Sequence, residues 1–226
     1  MAAPELEGRL ERVVEHGEQT RSFFLRLATP LAFRPGQFIS CLLPVGSERL
    51  IRPYSIASSP EEPRTLEIVL NLVPGGPGSH YLFGLPFGAA VRFTGPWGSF
   101  VLERAPEAET IFIADGTGIA PIRPMLHRAL ASGPTHPVSL LHAAPSDVRP
   151  LYRGEFLALA REHTGFSVAY VESRNLVAEV SRRWIEADAD RTRRFFICGV
   201  GAIVPSLRDA LRRAGYERRA VQYEKW

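Results

Sequence analysis

The chain has 226 residues, of which 45% are hydrophobic and 23% are charged, and its formal net charge is +3. This length favours one large domain or two small ones, and the composition is that of an ordinary globular protein. The positive balance favours an acidic partner, whereas the scattered arginines argue against nucleic-acid binding. Two cysteines, Cys41 and Cys198, are too few for an ordinary iron–sulfur cluster, so we predict no metal site and expect any such cluster on another chain.

The sequence contains no apolar run of the ~18–20 residues that a transmembrane helix needs. Its first residues, MAAPELEGRLERVVEHGEQ, lack the basic and apolar regions of a signal peptide. We therefore expect a cytoplasmic protein without a transmembrane segment.

The first half of the chain consists of short apolar and β-branched segments separated by turn residues. We predict strands in GRLERVVEH, TRSFFLRLA, GQFISCLLP, RPYSIAS, TLEIVLNLV and AAVRFTG. Short strands at this spacing are typical of a small antiparallel barrel.

From about Glu109 onward, apolar strands alternate with helical stretches. The predicted strands are ETIFIAD, PVSLLHA, FSVAYV, RFFICGV and AVQYE. Strand–helix alternation predicts a parallel sheet covered on both faces. The boundary lies near Arg104–Glu109, which is polar and contains proline, so we expect domains at 1–106 and 107–226.

The segment Arg52-Pro53-Tyr54-Ser55 lies on the fourth predicted strand. Residues two apart on a strand share a face, so Arg52 and Tyr54 present a cation and an aromatic ring together. A dinucleotide could use both, the guanidinium for phosphate and the ring to cover a planar heterocycle. The alternative is an edge strand on which the tyrosine packs and the arginine is solvated.

Three glycine-containing turns follow strands elsewhere in the chain. GGPGSHY at Gly75–Tyr81 opens a short helix, where backbone amides could hold a pyrophosphate; a plain turn is the alternative. DGTG at Asp115–Gly118 has the strand–turn–helix context of a dinucleotide site, although G-x-G-x-x-G is absent. CGVG places Cys198 at the carboxyl end of a strand, where it is either a ligand-site residue or a buried inert thiol.

Taken in order, these motifs resemble the ferredoxin–NADP reductase superfamily from about Gly8 to Trp226. The matching segments are RPYSIASS, GGPGSHYL, GPWGSF, DGTGIAP, LYRGEF, CGVG and the aromatic C-terminus. The resemblance implies a six-stranded antiparallel Greek-key β-barrel that binds FAD, followed by a Rossmann-like parallel α/β domain that binds NADH or NADPH.

The resemblance also assigns residues of the first domain to FAD. Arg52 would bind the pyrophosphate, Tyr54 would stack on the isoalloxazine, and Ser55 would hydrogen-bond near flavin N5. Further pyrophosphate donors would be Gly76, Gly78 and Ser79. The remaining expected FAD-binding positions are Pro53, Val69 and Asn71.

In the second domain, the resemblance places Gly116, Thr117 and Gly118 along the nicotinamide-nucleotide pocket, and Cys198 with Gly199 beside the nicotinamide. Trp226 would cover the other flavin face and yield to the nicotinamide. The residues expected to take part in catalysis are Ser55, Cys198 and Glu224. Cys198 would position the nicotinamide and not act as a nucleophile, while Glu224 would complete a proton route.

The function implied by the resemblance is an FAD-dependent NAD(P)H oxidoreductase. Hydride would move from the nicotinamide to flavin N5, and electrons would pass to a separate acceptor such as a ferredoxin or an oxygenase component. One alternative is a free-flavin reductase. Another is a flavin-containing electron-transfer subunit of a larger complex without NAD(P)H activity.

Two positions bear on how the second domain would bind a nicotinamide nucleotide. Asp115 stands where the family more often has glycine, alanine or threonine, and a carboxylate there would repel a cofactor phosphate unless it points away or is hydrogen-bonded. After the strand FSVAYVE, Ser173 and Arg174 could bind a 2′-phosphate or form a solvated loop, so the choice between NADH and NADPH stays open.

Overall fold

The computed structural model describes residues 4–131, 133–187 and 189–226. Contacts divide the chain into two compact units. The barrel unit is Met1–Glu103 with Arg123–Met125, and the α/β unit is Arg104–Ile122 with Leu126–Trp226.

The barrel unit contains six strands and one short helix. They are β1 (Leu6–Glu15), β2 (Thr20–Leu27), β3 (Phe38–Val45), β4 (Glu48–Ser55), β5 (Thr65–Asn71), α1 (Pro77–Phe83) and β6 (Ala90–Trp97). All the strand pairs are antiparallel, in the order β4-β3-β6-β1-β2-β5. An antiparallel bridge from Ile56 to Ile68 joins the two edges of this order, which closes the sheet. The predicted six-stranded antiparallel barrel is therefore confirmed.

Alternation of inward and outward side chains builds the core of the barrel. On β3, every second residue is fully buried: Ile39, Cys41 and Leu43. The following hairpin pairs Val45 with Glu48 across a two-residue turn. Gly46 supplies the positive φ of 60° that such a turn requires.

The α/β unit alternates strands and helices. Its strands are β7 (Thr110–Asp115), β8 (Val138–Ala144), β9 (Phe166–Glu172), β10 (Arg194–Gly199) and β11 (Val221–Lys225). Its helices are α2 (Ile119–Leu130), α3 (Arg153–Glu162), α4 (Leu176–Val180) and α5 (Ile203–Arg213). A π-helical turn at Ser181–Ile185 prolongs α4.

The five strands are parallel, in the order β11-β10-β7-β8-β9, which confirms the Rossmann-like prediction. Strands β8 and β9 extend the sheet on one side of β7, and β10 and β11 extend it on the other. Such a reversal opens a crevice at the carboxyl ends of β7 and β10, where open α/β sheets bind ligands. No helix in the described ranges is long and apolar enough to cross a membrane.

Candidate functional site

In the barrel unit, strand β4 and the first turn of α1 lie side by side. A Cβ added to Gly78 would come within 3.2 Å of Arg52 Cγ and 3.3 Å of Leu43 Cδ1, so glycine allows the arginine to lie against this turn. The Arg52 guanidinium is exposed and donates to the carbonyl of Ile51 at 2.9 Å. The two segments predicted to bind pyrophosphate are thus brought together.

Hydrogen bonds within the glycine-rich loop fix its shape. The Gly76 amide donates to the Val73 carbonyl at 2.8 Å. The Ser79 hydroxyl donates to the Gly76 carbonyl at 2.9 Å and accepts from the Val73 amide at 3.0 Å. The Gly76 amide and the Ser79 hydroxyl therefore already form hydrogen bonds within the loop. Of the expected pyrophosphate donors, this leaves the backbone amides of Gly78 and Ser79, because the amides in the first turn of a helix have no partner within the helix.

Tyr54 and Ser55 end strand β4 in different environments. The tyrosine ring is partly exposed, and burial raises the pKa of its phenol to about 12, so the hydroxyl is neutral. Ser55 is buried, and the Ile56–Ile68 bridge places it opposite the buried Val69 in the antiparallel register.

The two other expected FAD-binding residues of this unit are on the surface. Pro53 is exposed between Arg52 and Tyr54. Asn71 is exposed at the end of β5, and its side-chain oxygen accepts from the Thr20 hydroxyl at 2.8 Å.

In the α/β unit, the turn after β7 packs directly on the end of β10. A Cβ added to Gly118 would lie 2.2 Å from the carbonyl oxygen of Cys198 and 2.7 Å from the amide of Gly199. Gly116 adopts a φ of 54°, and nothing lies within 4 Å of the position its Cβ would take. The structure thus joins two predicted nicotinamide segments, Gly116–Gly118 and Cys198–Gly199, at the crevice between β7 and β10.

Cys198 is a neutral thiol in this arrangement. Burial raises its pKa well above the ordinary value, the nearby Glu224 raises it further, and hydrogen bonds to Trp226 and Gly199 act in the opposite direction. Because the thiolate is the reactive form of cysteine, this environment fits a positioning role and not a nucleophile.

Glu224 is the register partner of Cys198 on β11. Burial raises the pKa of its carboxyl to about 7, and within the described chain its Oε2 atom is buried without a hydrogen-bond partner. The strand end is held by the Trp226 amide, which donates to Gly199 at 3.2 Å, and by the Gly201 amide, which donates to Trp226 at 3.3 Å. A carboxyl with this pKa can hold or release a proton near neutral pH.

Asp115, the departure from the family pattern, is hydrogen-bonded. The Ser173 hydroxyl donates to its Oδ1 at 2.5 Å, which joins the carboxyl ends of β7 and β9. Burial raises the Asp115 pKa and this hydrogen bond lowers it. Arg174 forms an ion pair with Glu172 at 2.6 Å. The two candidates for a 2′-phosphate, Ser173 and Arg174, therefore both contact carboxylates.

His142 is a site residue that the sequence reasoning missed. It lies fully buried on β8, and its Nε2 is 3.2 Å from the carbonyl oxygen of Gly116. Burial lowers its pKa to about 4, so the ring is neutral. The available signal was a polar residue within the apolar strand PVSLLHA, but its contact with Gly116 spans 26 residues and cannot be read from spacing.

The three residues expected to be catalytic are divided between the units. Ser55 belongs to the barrel unit, whereas Cys198 and Glu224 belong to the α/β unit, where they are paired in register. The expected cofactor residues are divided in the same way, at Arg52–Ser79 in the barrel unit and Gly116–Trp226 in the α/β unit.

Comparison with known proteins finds a separate family match for each part of the chain. Residues 7–102 match the family described as Oxidoreductase FAD-binding domain, and residues 112–208 match Oxidoreductase NAD-binding domain. Over 210 residues the chain is 31% identical to ferredoxin–NADP reductase B of Sorangium cellulosum, covering 86% of this chain and 85% of that protein. The chain belongs to the ferredoxin–NADP reductase family. It is an NAD(P)H-dependent flavin oxidoreductase with an FAD-binding and an NAD(P)-binding domain.

Two further matches come from Amycolatopsis. The reductase subunit of an aromatic O-demethylase is 35% identical over 167 residues, covering 72% of this chain and 49% of that subunit. The solved structure of the cytochrome P450 reductase GcoB matches with a TM-score of 0.85 at 29% identity, covering 99% of this chain and 71% of that one. The chain therefore spans about half the length of the O-demethylase subunit.

Proposed function

We propose that this reductase uses FAD on residues 1–106 and a nicotinamide dinucleotide on residues 107–226 to deliver electrons to a separate protein, a ferredoxin or an oxygenase component. The observation that carries the proposal is the contact of Gly118 with the Cys198–Gly199 peptide at the carboxyl edge of the sheet. The Sorangium relative is named for ferredoxin and the Amycolatopsis relative for an O-demethylase, which supports a protein acceptor.

The barrel residues fit a flavin dinucleotide by their chemistry. The exposed Arg52 guanidinium, lying against Gly78, would bind the pyrophosphate together with the amides of Gly78 and Ser79. The neutral, partly exposed Tyr54 ring would cover the isoalloxazine. Ser55, buried opposite Val69, would hydrogen-bond near the flavin ring edge.

The α/β residues fit a nicotinamide dinucleotide through backbone and neutral side chains. When bound, the two cofactors supply the hydride transfer, and the protein aligns them. The open face of Gly116 leaves room for the dinucleotide, and the neutral Cys198 thiol would orient the nicotinamide. Glu224 would hold a proton near neutral pH, and Trp226 would cover the flavin until the nicotinamide displaces it.

The charge distribution supports an acidic protein acceptor. Residues 190–225 carry nine Arg or Lys and four Asp or Glu, a net charge of +5, while the whole chain carries +3 and the remainder therefore −2. The cations that look scattered in the sequence are thus most concentrated between the loop before β10 and the end of β11. Such asymmetry attracts an oppositely charged protein and orients its encounter.

An exposed tyrosine lies within this basic region. Tyr223 is 40% exposed, and its hydroxyl accepts a hydrogen bond from Arg208 at 3.3 Å. Arg208, Arg212 and Arg218 all lower the pKa of this phenol. We call Tyr223 with these three arginines the basic face. Tyrosine and arginine are enriched at protein interfaces, so its composition suits a docking surface.

The proposal is tested with the flavin-loaded protein. After gel filtration to remove free FAD, the retained flavin is mixed anaerobically with NADH or with NADPH, and its absorbance is followed. We expect rapid bleaching with at least one of them, and reoxidation when an oxidised [2Fe–2S] ferredoxin is added. Loss of flavin during gel filtration supports a free-flavin reductase, and retained flavin that neither nucleotide bleaches supports an electron-transfer subunit. Either result overturns the proposal.

A further inference from the structure

His142 has a hydrogen-bonding arrangement that sheet packing does not require. It lies near the carboxyl end of β8, with Ala114 of β7 and Tyr170 of β9 as its register partners. Its Nε2 lies 3.2 Å from the Gly116 carbonyl oxygen. Within the described chain, its Nδ1 is buried and has no hydrogen-bond partner. A leucine would fill a buried strand position without this unpaired acceptor, whose burial is unfavourable.

The contact with Gly116 fixes the tautomer of the ring. A carbonyl oxygen can only accept, so Nε2 carries the proton and donates it to Gly116. Desolvation keeps the ring neutral, which leaves Nδ1 as a bare acceptor. The imidazole thus contacts the Gly116 carbonyl, and the Tyr170 ring centroid lies 6.1 Å from its own.

Gly116 is the residue whose conformation this hydrogen bond controls. It has a φ of 54° and begins the short 3₁₀ turn Gly116–Gly118 directly after β7. Glycine has little intrinsic preference between positive and negative φ, so an outside contact is needed to select one. The turn is supported on its other side by Gly118, which packs on the Cys198–Gly199 peptide.

We propose that His142 is a positioning residue for the nicotinamide dinucleotide, acting through the Gly116 carbonyl to hold the Gly116–Gly118 turn in its binding conformation. This inference rests on the proposed function, because it assigns the turn to that cofactor. The hydrogen bond holds the Gly116 carbonyl toward His142 on β8. Without it, that carbonyl is free to rotate toward the dinucleotide phosphates, which it would repel.

The inference is tested with two variants of His142, one without and one with a hydrogen-bond donor in the side chain. His142→Phe keeps an aromatic ring and removes the donor, whereas His142→Gln retains an N–H group that can reach Gly116. We expect His142→Phe to raise the Kd and KM of the preferred nucleotide by about 10-fold, the effect of one lost hydrogen bond, with kcat changed less than twofold. His142→Gln should recover most of the affinity, and both variants should retain FAD.

Two outcomes overturn the inference. One is wild-type nucleotide affinity in a folded His142→Phe protein; the other is equal loss in both variants, which would mean that ring shape and not the donor matters. A ¹⁵N NMR spectrum of wild-type His142 tests the premise even where His142→Phe does not fold, because a proton on Nδ1 contradicts it. Failure of the proposed function is distinguishable, since wild-type flavin would then not be bleached by either nucleotide.

Discussion

The barrel unit and the α/β unit build their candidate binding residues into the fold in different ways. The barrel half presents side chains from one strand and one loop, with Arg52 exposed and Tyr54 neutral by burial. The α/β half is made of close backbone packing and buried ionisable groups, and the pKa values of Asp115, His142, Cys198 and Glu224 are all shifted. Exposed side chains such as Arg52 can adjust to small movements of a ligand. The residues of the α/β unit depend on close backbone packing and on the protonation of buried groups, so their function should be sensitive to added atoms and to pH.

The largest effect should come from adding one methyl group at the packed turn. In Gly118→Ala, the new Cβ would lie 2.2 Å from the Cys198 carbonyl oxygen, so the turn or the β10 end must move. We expect a loss of about 3 kcal/mol in the free energy of unfolding, the upper range for overpacking. Denaturant unfolding followed by circular dichroism measures it.

A matched control is available on helix α3. A Cβ added to Gly154 meets nothing within 4 Å, and its φ is not positive, so Gly154→Ala should be neutral or slightly stabilising. Equal stability of the two variants would show that the turn is not tightly packed on Cys198.

The second prediction concerns pH, because two buried groups of the α/β unit have opposite effects. The pKa of His142 is lowered from 6.5 to about 4, so the unfolded state binds more protons between these values and stability falls as pH falls. The pKa of Glu224 is raised from 4.5 to about 7, so the folded state binds more protons and stability falls as pH rises through this window. Each shift corresponds to about 3 kcal/mol, and the two largely cancel between pH 4.5 and 6.5.

Replacing Glu224 should reveal how the free energy of unfolding depends on pH through His142. Glu224→Gln eliminates the cost of ionising a buried carboxyl, so we expect it to stabilise the protein at pH 8 by up to about 3 kcal/mol. Its stability should then fall more steeply than that of the wild type as pH drops from 6.5 to 4, because Glu224 no longer offsets the effect of His142. Unfolding free energies measured without cofactors from pH 4 to 8 decide the matter, and parallel profiles for the variant and the wild type would contradict this account.

The units also differ in how much the sequence reveals. In the barrel, Arg52 and Tyr54 are two residues apart, so strand periodicity alone puts them on one face. In the α/β unit, the sequence motifs locate Gly118 and Cys198, but their contact depends on parallel pairing of β7 with β10 across 80 residues. Neither the Ser173–Asp115 bond nor the His142–Gly116 bond can be read from spacing, because each joins separate strand ends. No sequence motif near Ser181–Ile185 predicts the π-helical turn after α4 either.

The third prediction concerns the basic face, which lies in the α/β unit. Reversing two charges with Arg212→Glu and Arg218→Glu should raise the KM for an acidic [2Fe–2S] ferredoxin by about 10-fold and weaken its dependence on salt. Reduction of ferricyanide, which needs no docking surface, should be unchanged.

Arg26→Glu together with Arg64→Glu, on the barrel unit, provides a control with the same change in charge. An equal rise in KM would mean that net charge and not this face governs docking. An unchanged KM in the Arg212 and Arg218 variant would place the acceptor elsewhere.

The smallest effect should come from the link between the ends of β7 and β9. Ser173→Ala removes the hydroxyl that donates to Asp115, leaving a partly buried carboxylate with one hydrogen bond fewer. The Asp115 pKa should rise further, because the hydrogen bond that lowers it is lost while burial remains. A neutral Asp115 repels phosphate less than a carboxylate does. At pH 8 the ionised carboxyl has lost a hydrogen-bond donor, so we expect nucleotide affinity to fall by no more than about threefold there. The affinity should recover at a lower pH, at which the carboxyl is protonated.

Asp115→Asn, which cannot ionise, separates the charge from the hydrogen bond. It can still accept from Ser173 through its side-chain oxygen, and its nucleotide affinity should not vary with pH through this group. Calorimetric titration of both variants at the two pH values makes the comparison. A pH-independent loss in Ser173→Ala would show that the hydroxyl acts by holding the strand ends together and not through the charge of Asp115.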